Sequence, residues 1–200
     1  QWGMKGTPPN EQRPGYFNSV HGIAVNPITR QVFVNDRNNG RVQVFDENGN
    51  FLDQWSMGPR PPMNIHDIYM GEDGVLWAAD QGSSKLNGYD ASGNFLKAWG
   101  GEGPGYEWPQ REHFLHIDYQ GNVWLGGNYC AQRALPRLRP VGDDQILKFT
   151  AQGEFILQIG RSNQSGGNAD TLNLHQAADA AVYPASNEIF VADGYGNHRV

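Results

Sequence analysis

Apolar residues fall at every second position in short runs along this chain, and the runs are separated by polar turns rich in Gly, Asn and Asp. The arrangement repeats. GIAVNPITRQVFVNDRNNGRVQVFDENGNFLDQW (22–55) aligns with DIYMGEDGVLWAADQGSSKLNGYDASGNFLKAW (67–99). Both align with FLHIDYQGNVWLGGN (114–128) continued by QILKFTAQGEFILQIG (145–160), and DAAVYPASNEIFVADGYGNHRV (179–200) opens in the same way. Each unit reads as four strands. Strand a is an apolar run such as Ile23 to Val25, strand b is β-branched or aromatic, strand c alternates, and strand d follows a DENGN, DASGN or TAQGE turn. The aromatic residue closing strand c stands six residues before the Phe opening strand d: Phe45 and Phe51, Tyr89 and Phe95, Phe149 and Phe155. Alternation interrupted by Gly-bearing turns predicts antiparallel hairpins. Four strands in about 40–45 residues predict a propeller blade.

The string RVQVFDENGNFL, with VxVAD-like strands b, resembles the NHL repeat; the Gly-His and Trp-Asp pairs of WD40 blades are missing. The resemblance covers nearly the whole chain and implies an all-β, NHL-type β-propeller. The blades are expected at 19–55, 65–99, 113–160 and 178–200, forming one partial domain over 1–200. That is about three and a half four-stranded blades. Such propellers are commonly six-bladed, so the remaining blades are expected outside this sequence. Gln1-Trp2-Gly3 resembles Ala98-Trp99-Gly100 and reads as the close of a preceding strand d.

Composition narrows the function classes. Hydrophobic residues make up only 38% and Gly numbers 26, which suits many short strands better than a helical bundle. A net charge of −6 argues against a nucleic-acid backbone as main partner. No run of about 18 apolar residues is present, so no membrane span is expected. The one cysteine, Cys130, allows no disulfide within the chain.

The a–b and c–d connections are tight turns, whereas the long loops (56–64, 101–112, 129–143 and 161–177) all join d to a or b to c. These emerge on one face of a propeller, which predicts a working face. Aligning Trp77 with Trp124 matches His66 to His113. Aligning Asp36 with Asp80, with one residue's difference in the a–b turn, matches His66 to His21. Three consecutive blades therefore carry His immediately before strand a, the strand that lines the central channel; the fourth equivalent is Ala178. Three imidazoles converging on one axis would make an open zinc site with a fourth place for water or substrate. His116 is expected to be turned to the opposite side by strand alternation, and His175 and His198 lie outside the register.

The stretches SVHGIAVNPITRQVFVNDRNNGRVQVF, NIHDIYMGEDGVLWAAD and ADAAVYPASNEIFVADGYGNHRV resemble peptidyl-α-hydroxyglycine α-amidating lyases. These are six-bladed propellers that split a peptide's terminal hydroxyglycine into a peptide amide and glyoxylate. The resemblance implies zinc on His21, His66 and His113, and Tyr195 as base or oxyanion partner. It implies Arg37 on the substrate carboxylate, and Asp67 supporting the metal centre through a structural calcium. It also implies a secreted or periplasmic location. Departures from the family's pattern are visible. The three His blades are adjacent, Phe33, Val44 and Gly196 stand where Cys would be, and Tyr129 matches Tyr195 in register and competes for its role. Bacterial extracytoplasmic NHL propellers are also similar, and that likeness names a fold rather than an activity.

Other features are less specific. Arg133, Arg137 and Arg139 form a basic cluster on one b–c loop, and Asn163-Gln164-Ser165 matches a glycosylation acceptor. Two rival readings stay open beside the lyase. One is a non-catalytic propeller binding a small peptide, glycan or protein on the long-loop face; the other is a structural module of a larger assembly.

Overall fold

The computed structural model describes residues 2–7, 11–58, 63–129 and 142–200. Cys130 and the Arg133, Arg137 and Arg139 cluster lie outside the described residues. No described helix is long and apolar enough to cross a membrane. The chain divides into two compact units, Gln1–Ala98 and Trp99–Val200.

The first unit opens with β1 (Met4–Lys5) paired in parallel with β2 (Tyr16–Phe17). An antiparallel sheet follows in simple order: β3 (Val20–Val25), β4 (Val32–Asp36), β5 (Arg41–Phe45) and β6 (Phe51–Ser56). The next sheet repeats it with β7 (Ile65–Met70), β8 (Leu76–Asp80), β9 (Lys85–Tyr89) and β10 (Phe95–Trp99). In the second unit a third sheet holds β11 (Glu112–Ile117), β12 (Val123–Gly127), β13 (Gln145–Phe149) and β14 (Phe155–Gly160). The last sheet has β15 (Asp179–Tyr183) and β16 (Glu188–Ala192). The four-strand reading of the repeat is borne out in the three complete sheets.

The repeated residues explain the repeated geometry. Asp46 and Asp90 open the c–d turns, and the Oδ1 of each accepts two main-chain N–H groups of its own turn. The turn brings the six-spaced aromatics together edge to face. Ring centroids are 5.8 Å apart for Phe45 and Phe51, 6.0 Å for Tyr89 and Phe95, and 5.8 Å for Phe149 and Phe155. Gly49, Gly93 and Gly153 in these turns have φ near +80 to +90°, and each carries a Trp ring against its bare Cα: Trp2, Trp55 and Trp99 respectively. Trp2 therefore stands on its turn as Trp55 and Trp99 stand on theirs.

Cores form where one sheet's face meets the next within a unit. In the first unit Ala24, Phe33, Val42 and Val44 pack against Ile65, Ile68, Met70 and Leu76. In the second, Phe114, Trp124 and Ile146 pack with Ala177 and Ala180. Full burial of the Val, Leu, Ile, Phe and Met side chains among these is worth about 1.5–3 kcal/mol each.

The end of strand b is pinned by a buried carboxylate. Asp36 accepts the Asn18 N–H at 2.7 Å and pairs with Arg41 at 2.7 Å, both side chains buried. Asp80 accepts the Asn64 N–H at 2.8 Å. Asp193 accepts the His175 N–H at 2.7 Å and pairs with Arg199 at 2.9 Å. The third sheet has Gly127 at this position, and the carboxylate of Asp143 fills the space that a Cβ there would need. Asp143 accepts the N–H groups of Gln110, Arg111 and Tyr129 at 2.7, 3.0 and 2.8 Å.

Candidate functional site

Each histidine of the aligned set sits inside strand a rather than before it. Pairing begins earlier than the apolar run suggests, with Val20 opposite Asp36, Ile65 opposite Asp80 and Glu112 opposite Gly127. In every case the ladder then slips: between Val20 and Ile23, between Ile65 and Asp67, and between Glu112 and Phe114. His66 and His113 are the residues that the partner strand skips, and His21 shares its wider slip with Gly22. A β-bulge turns a side chain out of the regular alternation. The sequence device seen three times in alignment is thus one backbone device built three times.

In the first unit the His21 and His66 rings meet edge to face, 3.7 Å between centroids. His66 is buried, and His21 is exposed as a whole residue. Burial pushes the His21 imidazole below its usual pKa, the Arg37 charge pushes it further, and a main-chain group of His66 pulls back. Arg37 stands on a short 3-10 turn (Arg37–Asn39) closed by left-handed Gly40, and its Nε donates to Asn64 Oδ1 at 3.2 Å. The residues following the two histidines interlock. Asp67 Oδ1 accepts the Ile68 N–H at 2.9 Å, and a Cβ on Gly22 would stand 2.8 Å from that oxygen. Asp179 makes the same bond to Ala180 N–H at 2.8 Å in a strand without a histidine, so this carboxylate bond belongs to the strand's opening.

In the second unit His113 is held from both sides. Its Nδ1 lies 3.1 Å from the Ala178 carbonyl oxygen and its Nε2 lies 2.9 Å from Tyr195 Oη. The Tyr195 ring stands edge to face on the imidazole at 4.9 Å and is 55% exposed. Tyr129 engages elsewhere, its ring beneath the Arg111 guanidinium at 5.7 Å. His116 departs from expectation. The alternation that would turn it away from His113 is broken by the bulge, and both rings reach the fourth repeat; His116 Nε2 accepts the Val182 N–H at 3.2 Å. His175 is outside the set, its ring lying under Gly196.

Two contributors were not visible in the sequence. Asn64 orients Arg37, and Ala178 fixes His113 through a main-chain carbonyl, which no residue pattern announces. As a donor set, neutral imidazoles without carboxylates suit zinc, copper, iron or nickel rather than calcium or magnesium.

No family model matches the chain. A stretch of 89 residues is 35% identical to peptidyl-glycine alpha-amidating monooxygenase B of Xenopus laevis, and 89 residues are 46% identical to monooxygenase A of the same animal. Each match spans 44% of this chain and 8% of the relative's length. A streptogramin B lyase structure matches with a TM-score of 0.60 at 15% identity, covering 91% of this chain and 50% of that one. This chain therefore spans about half of that structure and under a tenth of those relatives. The fold is an NHL-type β-propeller, with partial similarity in sequence to amidating enzymes.

Proposed function

We propose that this propeller is a metal-dependent lyase of the peptide-amidating type, acting on peptides that end in hydroxyglycine. The observation that carries the reading is the bulged histidine opening strand a in three successive repeats. In this reading His21, His66 and His113, matched in register along the sequence, are the ligands of one metal ion. Zinc fits them, with one position left for substrate. When bound, the metal would polarise the substrate hydroxyl as a Lewis acid.

The chain's own groups supply the rest. His113 offers Nε2, because its Nδ1 hydrogen is committed to the Ala178 carbonyl. Arg37, held at Nε by Asn64, binds the substrate carboxylate with its planar guanidinium. The Tyr195 hydroxyl relays the proton: it gives its own hydrogen to the departing amide nitrogen and takes the substrate hydroxyl's hydrogen as the C–N bond breaks, which gives the peptide amide and glyoxylate. Asp67 holds the strand opening beside His66 through its bond to Ile68. The amidating resemblance also supports a secreted or periplasmic setting.

The test is glyoxylate release from a hydroxyglycine-ended peptide by the zinc-loaded chain. Turnover is expected to fall about 100-fold or more in His66→Ala and Tyr195→Phe, the span of a lost acid–base or metal group. Peptide binding without glyoxylate would replace this reading with a non-catalytic peptide-binding propeller. Neither binding nor turnover would leave the structural module.

A further inference from the structure

We infer that Tyr195 is a gate on His113: its hydroxyl and an incoming metal ion compete for the same ring nitrogen. The inference rests on the three-histidine reading and adds how that site is loaded. The Ala178 carbonyl, 3.1 Å from Nδ1, can only accept, so Nδ1 carries the ring's hydrogen. The neutral ring then keeps its lone pair at Nε2. Tyr195 Oη lies 2.9 Å from Nε2, so the phenol donates its hydrogen along that lone pair. A zinc ion would need the same direction, at about 2.0–2.1 Å. Both cannot occupy it.

The surroundings suit a side chain that moves while its backbone stays. The Tyr195 ring is more than half exposed and belongs to neither core. Its main chain is anchored: the Tyr195 N–H donates to the Gln176 carbonyl at 3.4 Å, and the Gly196 N–H donates to the His175 carbonyl at 3.0 Å. Rotation about χ1 can lift the phenol off Nε2 without disturbing either bond. The displaced hydroxyl stays beside the ion, which is where the proposed proton transfer needs it. The same hydroxyl thus guards the ring nitrogen before the metal is loaded and serves the reaction afterwards.

Zinc titration of the full chain by calorimetry separates the possibilities, with Tyr195→Phe and His113→Ala as variants. Removing the phenol's hydrogen bond is expected to tighten zinc binding about three- to ten-fold, the worth of one such bond. His113→Ala is expected to abolish tight uptake. In the metal-free protein, imidazole 15N spectra should show Tyr195→Phe shifting His113 Nε2 and leaving Nδ1 protonated. Unchanged or weaker zinc binding in Tyr195→Phe, with His113→Ala still defective, overturns the gate and leaves the three-histidine site standing. No zinc uptake by wild type or Tyr195→Phe overturns both.

Discussion

Asp143 carries a task that other residues of this chain share with a cation. Asp36 and Asp193 close their repeats beside Arg41 and Arg199, whereas Asp143 accepts three main-chain N–H groups. Burial pushes its pKa up to about 6, the N–H donors pull it down, and neighbouring Asp144 adds to the rise. The folded chain therefore holds this proton up to about pH 6, while the unfolded chain releases it near pH 4. Folding takes up a proton between those values, so this group's contribution to stability is greatest below about pH 4 and declines as pH rises towards 6. Urea unfolding of wild type and Asp143→Asn across pH 4 to 7 should show the gap between them changing by about 3 kcal/mol, with wild type losing ground as pH rises. A gap independent of pH would refute it. The sequence hid this residue for a plain reason. Alignment puts Gly127 at the carboxylate position, and the replacement comes from Asp143, sixteen residues further along the chain.

The strand opening shows what alternation can and cannot announce. Repeats, turns and aromatic pairs were legible because each depends on residues close in sequence, such as Phe45 and Phe51. The equivalence of His21, His66 and His113 was legible as alignment. The bulges were not, because slippage is a relation between two strands and leaves no mark on either alone. The Tyr195–His113 contact spans 82 residues and follows from the fold rather than from any motif. Gly22 marks where two such openings meet. A Cβ there would stand 2.8 Å from Asp67 Oδ1 and 2.9 Å from the Ile68 nitrogen, and a backbone atom cannot give way cheaply. Gly22→Ala is expected to cost about 1–3 kcal/mol in chemical denaturation, an overpacking penalty. An unchanged midpoint would mean the strands can part at no cost.

Over the chain as a whole, equivalent faces do not share one environment. Ile65, Ile68 and Met70 of β7 are at most 6% exposed, while Val20, Ile23 and Val25 of β3 are 43, 61 and 50% exposed. An apolar cleft of about 390 Å³ opens there between Trp2, Met4, Phe17 and Ile23. Exposed apolar patches of this kind drive association. The 200-residue chain is expected to self-associate with rising concentration, and Ile23→Lys combined with Val25→Lys should weaken that association about ten-fold or more. Sedimentation velocity would read it, and a wild-type chain monomeric at all concentrations would refute it. Elsewhere the molecule secures its chemistry in a way that leaves no trace in the residue record. The partner of His113 Nδ1 is the peptide oxygen of Ala178, and every amino acid brings that oxygen. Position 178 can drift through many residue types while the imidazole keeps the same hydrogen on the same nitrogen. Descendants of this chain could look unrelated at that position and still inherit identical ligand chemistry.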